Sequence, residues 1–200
     1  MRVGFDFDNT LISYDSLFRQ VALDNALIPE TIPPQKNAVR DYLRQQGQED
    51  DWTRLQGEVY GGRILDAPPY PGMLASLHAL AHLNIPMCIV SHKTRTPYLG
   101  EAWDLHVAAR SWLELHGFHS TDGLGWAEGQ VFFELTKEAK VARIVALGCT
   151  HYIDDLPEIL VMLPDSIHKI LFSPSDGGQT NPKWKVMKAW LDLPRVLALS

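Results

Sequence analysis

Short apolar runs alternate along this chain with longer stretches of helical period. Four runs read as strands: "RVGFDF" from Arg2, "PMCIVS" from Pro86, "HYID" from His151 and "HKILFS" from His168. Between them, "GMLASLHALAHL", "EAWDLHVAARSWLELHGF" and "TKEAKVARIVALG" carry Leu, Val and Ile at three- and four-residue steps, the mark of helices with one buried face. This alternation predicts an α/β fold, a parallel sheet with helices on both faces. Ligands of such sheets bind beyond the carboxyl ends of the strands, and Asp6, Asp8, Ser91, Asp154 and Asp155 all fall there.

One aspartate at a strand end is an ordinary cap or turn former. Four of them from two strands are different, because carboxylates packed within a few ångströms repel, and a bound divalent cation relieves the repulsion. Oxygen-only ligands in a site open to substrate suit Mg²⁺, which works alongside phosphate oxygens.

Composition narrows the setting. With 200 residues, 46% of them hydrophobic, the chain suffices for one packed domain and a modest insertion. A net charge of −6 without a basic block offers a nucleic-acid backbone little, so no nucleic-acid partner is expected. The first strand starts at once, leaving no room for a secretion signal, and no apolar stretch approaches the roughly 20 residues of a membrane span. Cys88 and Cys149 lie in apolar surroundings outside any CxxC pair. Together these features predict a soluble cytoplasmic protein with buried thiols. No GxxxxGK[ST] loop is present, and the histidines lack zinc-finger spacing.

The segment "FDFDNTL", Phe5 to Leu11, resembles the DxDx[TV] signature of the haloacid dehalogenase superfamily, and three further signatures follow in the same order. Ser91 in "CIVSHKT" resembles the Ser or Thr closing the second core strand. Lys137 in "TKEAKVARI" resembles the motif lysine at a helix start, with Lys140 as its rival one turn later. Asp154 and Asp155 in "YIDDLPEIL" resemble the acidic pair. The resemblance runs from Val3 to Leu160 and implies a Rossmann-like core of this superfamily and a phosphatase-type hydrolase.

By that resemblance Asp6 is the nucleophile that takes up the phosphoryl group as an aspartyl phosphate, and Asp8 is the general acid and base. Members that cleave carbon–halogen bonds lack the second Asp, so "DFD" favours a phosphatase or phosphotransferase over a dehalogenase. Ser91 and Lys137 would contact the phosphoryl group and orient Asp6. Mg²⁺ would be held by Asp6, Asp154, Asp155 and the backbone carbonyl of Asp8. Asn9 and Thr10 are expected to shape the turn and hold Asp6 through side-chain hydrogen bonds. Thr10, His92 and Lys93 are candidates for contact with a small phosphorylated substrate. A protein that binds metal or ligand on the same fold without turnover is the alternative.

The pattern from Tyr14 to Tyr70 is helical and broken at "IPETIPP" and Gly61–Gly62, which resembles a small helical cap inserted after the first strand. The expected division is therefore a core of residues 1–13 and 71–200 and a cap of residues 14–70. Tyr14, Arg19, Arg54, Tyr60 and Arg63 are the cap's candidate pocket residues. The stretch Ser173–Trp184 reads as a loop beyond the last strand.

Overall fold

A computed structural model describes residues 1–174 and 181–199 of the chain. Six parallel strands form one sheet: β1 (Val3–Phe5), β2 (Met87–His92), β3 (Val131–Glu134), β4 (His151–Asp154), β5 (His168–Phe172) and β6 (Lys185–Met187). Their order is β3-β2-β1-β4-β5-β6. The chain leaves β1 toward one edge, returns, and builds outward on the other side from β4. The carboxyl ends of β1 and β4 therefore flank the point where the strand order reverses, where a parallel sheet opens a crevice.

The four expected strands are all present. The two edge strands, β3 and β6, are additions: most of β3 is only half-buried and β6 has three residues, so neither shows as a continuous apolar run.

The centre of the sheet is packed tightly enough to dictate Gly4. A Cβ built there would lie 2.8 Å from the Tyr152 ring and 3.0 Å from Cys149 Sγ. The fully buried Tyr152 ring passes over β1, and its hydroxyl donates to the Val90 carbonyl of β2. Cys88 and Cys149 are buried free thiols with their sulfurs 3.6 Å apart. Around them pack Val90, Ile144, Ile159, Leu160 and Leu171.

The chain divides into two units, residues 1–12, 69–93 and 119–200, and residues 13–68 and 94–118. The first unit holds the sheet with α4 (Met73–His82), α6 (Lys137–Ala146), α7 (Pro157–Met162) and α8 (Leu193–Val196). The second holds α1 (Asp15–Asp24), α2 (Lys36–Gln45), α3 (Glu49–Tyr60) and α5 (Leu105–Leu115).

In this division α5 falls in the second unit, whereas the expected division placed residues 94–118 in the core. Its buried Trp112 donates from Nε1 to the Ala67 carbonyl at 2.7 Å. An amphipathic pattern tells a helix to bury a face, and it does not say against which neighbour. The second unit has its own aromatic centre, with Phe18 against Trp52 and Tyr60 at ring centroid distances of 5.0 and 5.5 Å.

Candidate active site

The turn after β1 delivers the first two carboxylates. The Asp6 amide donates to the Ile153 carbonyl at 2.9 Å, extending the pairing of β1 with β4 by one residue. The Phe7 carbonyl then accepts from the amides of Thr10, Leu11 and Ile12, which folds the chain back on itself. Asn9 takes φ of 55°, a left-handed conformation that asparagine tolerates better than most residues. Trp190 secures this turn from the first unit's C-terminal part, its Nε1 donating to the Thr10 carbonyl at 3.0 Å.

The expectation that Thr10 holds Asp6 by its side chain needs correction. Its hydroxyl is buried with no hydrogen-bond partner among the described residues. Thr10 fills space and lends its backbone carbonyl to Trp190.

Lysine sits at the centre of the site, and it is Lys140 where the sequence pointed to Lys137. Lys140 Nζ donates to Asp6 Oδ1 and to Asp154 Oδ2, both at 2.6 Å, and the side chain is only 1% exposed. Lys137 instead pairs with Glu158 at 2.8 Å on the surface, with 38% of its side chain exposed. The reason lies in the helix start. Thr136 caps α6, accepting from the Ala139 amide at 3.1 Å, so Lys137 is the first helical residue. Helical side chains lean back toward the N-terminus, so the residue one turn in, on the buried face it shares with Ile144, reaches the strand ends.

Asp6, Asp154 and Asp155 present carboxylate oxygens that all lie within 4.8 Å of one another. Asp154 is fully buried; its Oδ1 accepts from the Leu156 amide at 2.9 Å, while Oδ2 takes Lys140. Burial pushes the Asp154 carboxyl up to about 7, with Asp6 adding to the push and Lys140 opposing it. Burial pulls the Lys140 ammonium down, but the charges of Asp6 and Asp154 outweigh it and leave its pKa raised. Three carboxylates face one ammonium, so the site carries an excess of negative charge once all three are ionised. The donor set, all oxygen and in excess of its own counter-charge, fits a hard divalent cation.

Asp8, whose backbone carbonyl is the expected metal ligand, pairs its carboxylate with Lys93. Both oxygens accept from Lys93 Nζ, at 2.8 and 2.7 Å. Ser91 is buried at the end of β2, paired in register with Phe133 of β3. His92 Nε2 lies 3.2 Å from the Leu135 carbonyl, so the structure ties this substrate candidate to the backbone.

In the second unit, the expected pocket arginines are engaged in hydrogen bonds and ion pairs, and Arg54 and Arg63 also line a cavity of about 300 Å³ beside Trp103. Arg19 donates to the carbonyls of Ile32 and Glu30, Arg54 pairs with Asp51, and Arg63 pairs with Asp24 and Asp66. Tyr14 is buried with its ring 4.8 Å from that of Tyr60. Tyr60, Tyr98, Thr53, Gln56, Thr94 and Leu105 line a cavity of about 130 Å³ in this unit. The loop expected at Ser173–Trp184 lies partly outside the described residues, at 175–180.

No protein-family model matches the chain, and no curated protein matches it. Solved structures do. A predicted phosphoglycolate phosphatase from Haemophilus somnus superposes with a TM-score of 0.60 at 16% identity, over 98% of this chain and 97% of that one. A HAD family hydrolase from Deinococcus radiodurans, solved with bound phosphate and sodium, gives 0.55 at 16% identity, over 98% and 94%. A dehalogenase gives 0.56 at 12% identity, over 100% and 97%. At such identities the likeness speaks for the fold, and the fold is that of the haloacid dehalogenase superfamily's hydrolases. No described helix is long and apolar enough to cross a membrane.

Proposed function

We propose that the protein is a Mg²⁺-dependent phosphohydrolase that cleaves a phosphate monoester through an aspartyl phosphate on Asp6. The observation that carries this reading is the convergence of Asp6, Asp154 and Asp155 around Lys140, with a further carboxylate, Asp8, two residues beyond Asp6.

A carboxylate oxygen of Asp6 attacks phosphorus, the bond from phosphorus to the ester oxygen breaks, and the leaving oxygen takes a proton from the Asp8 carboxyl. Water then attacks phosphorus and gives its proton to Asp8 as the bond to Asp6 breaks, which releases phosphate. Lys140 holds Oδ1 of Asp6, and no hydrogen bond from a described residue falls on Oδ2, leaving that oxygen to attack. Lys140 also keeps Asp154 in place, and Ser91 at the strand end is the proposed donor to the phosphoryl oxygens. Asp6, Asp154 and Asp155 would hold Mg²⁺, which supplies neutralisation of the phosphoryl charge.

The presence of Asp8 favours phosphate esters over carbon–halogen bonds, because a leaving halide needs no proton. The net charge of −6 supports a small phosphorylated substrate rather than a nucleic acid. The buried, unlinked Cys88 and Cys149 support a reducing, cytoplasmic setting.

The test is phosphate release from p-nitrophenyl phosphate and a panel of phosphorylated metabolites, with Mg²⁺ and with EDTA. Release that needs Mg²⁺ and falls at least about 1,000-fold in Asp6→Asn is the expected result. No release from folded, Mg²⁺-bound protein would favour a binding protein on this fold.

A further inference from the structure

We infer that Lys93 is a positioning residue for Asp8 and makes no contact with the substrate's phosphoryl group. The inference rests on the reaction proposed above and assigns a residue that the reaction scheme leaves out.

Lys93 directly follows β2, and its amide donates to the Glu134 carbonyl at 2.9 Å, continuing the pairing with β3. That bond fixes where the side chain starts. From there the ammonium reaches both oxygens of Asp8. Lys93 is 4% exposed, and its Nζ stands 5.5 Å from the centre of the Phe7 ring, which in turn packs edge-on to Phe133 at 5.6 Å.

A lysine that meets a diffusible phosphate keeps its hydration until the ligand arrives. An ammonium this deeply buried needs a counter-charge, and the Asp8 carboxylate supplies it until it takes up the proton that it passes to the leaving oxygen. The consequence for Asp8 is equally specific. Three neighbouring carboxylates converge where a cation would be held, and a fourth on a short side chain would be drawn toward that same charge. The two-oxygen grip of Lys93 fixes the plane of the Asp8 carboxyl group and keeps it aside for proton transfer to the leaving oxygen and from the attacking water.

The experiment compares wild type, Lys93→Met and Lys93→Arg on two esters: glycerol 2-phosphate, whose alkoxide must be protonated, and p-nitrophenyl phosphate, whose phenolate leaves unaided. Inhibition by inorganic phosphate is measured alongside. Lys93→Met is expected to lose about 100-fold in kcat/KM on the alkyl ester and less than about 5-fold on the aryl ester, with phosphate inhibition unchanged. Equal losses on both esters with weakened phosphate inhibition would overturn the inference and make Lys93 a phosphoryl contact; no loss on either ester would also overturn it.

If Lys93→Met fails to fold, Lys93→Arg keeps the cation while changing its geometry. Its loss should again be confined to the alkyl ester, and an equal loss on both esters counts against the inference. A wild-type protein that releases phosphate from neither ester would instead contradict the phosphohydrolase reading itself.

Discussion

At the carboxyl ends of β1 and β4, Lys140 is shut between Asp6 and Asp154 with almost no access to water. At the amino ends of the same strands, Arg2 donates through its amide to Thr150 Oγ1 and through its guanidinium to the Leu147 carbonyl, both at 2.9 Å. The His151 ring stacks on His168 there at 4.6 Å. One end settles its polar groups on neutral acceptors with water nearby. The other forces like charges together in the interior, an arrangement that contributes nothing to the sheet that apolar residues would not supply better. Two ends of one scaffold thus separate what the fold needs from what the chemistry needs.

The largest effect that could break this contrast comes from Lys140. Lys140→Met leaves Asp6 and Asp154 facing each other without their cation, and urea unfolding in EDTA should show a loss of about 3 kcal/mol. Lys137→Met, which removes only a surface pair with Glu158, should change stability by less than about 0.5 kcal/mol. Similar effects from both would mean that the buried cluster is not under the electrostatic load described above.

Gly4→Ala tests the packing between the two ends. The added methyl meets Tyr152 and Cys149 in the middle of the sheet, and a destabilisation of about 2 kcal/mol in urea is expected. A neutral outcome would show that the Tyr152 ring can move.

The amino-terminal end should respond to pH. Burial, together with the positive charges of His168, Lys185 and the chain's N-terminus, holds the His151 imidazole down at about 4. Native His151 therefore stays neutral while the unfolded chain takes up a proton near its ordinary 6.5, so stability from this group is full above about 6.5 and is lost as pH falls toward 4. With its partial exposure allowed for, the loss is about 1 kcal/mol. Thermal melts between pH 7 and 4.5 should show His151→Gln with a shallower decline than wild type.

Much of this was legible in the sequence, for identifiable reasons. The strands buried in the sheet's interior announced themselves as apolar runs, and aspartates placed where those runs stop stood out because nothing in a packed strand calls for them. Of the two candidate lysines, the less favoured Lys140 is the one that meets Asp6 and Asp154. Thr136, as an N-cap, carried the signal that would have set the helix phase and put Lys140 over the strand ends. Lys93 was named as a substrate contact while its carboxylate partner was missed, because which carboxylate a lysine meets depends on how β2 and the turn after β1 approach each other in space. The assignment of α5 to the second unit was out of reach for a related reason: periodicity defines a buried face and leaves its neighbour open. Gly4 passed unnoticed because the ring that excludes a side chain there lies about 150 residues further on, at Tyr152.

The central claim is that Asp6 becomes phosphorylated, and the most direct measurement is mass analysis of Asp8→Asn protein quenched in acid during turnover of p-nitrophenyl phosphate with Mg²⁺. That ester transfers its phosphoryl group without help from an acid, whereas hydrolysis of the intermediate needs the missing base. Phosphate covalently attached to the peptide containing Asp6 is the predicted result. Wild-type turnover with no modified peptide in the variant, or with phosphate attached elsewhere, would contradict it.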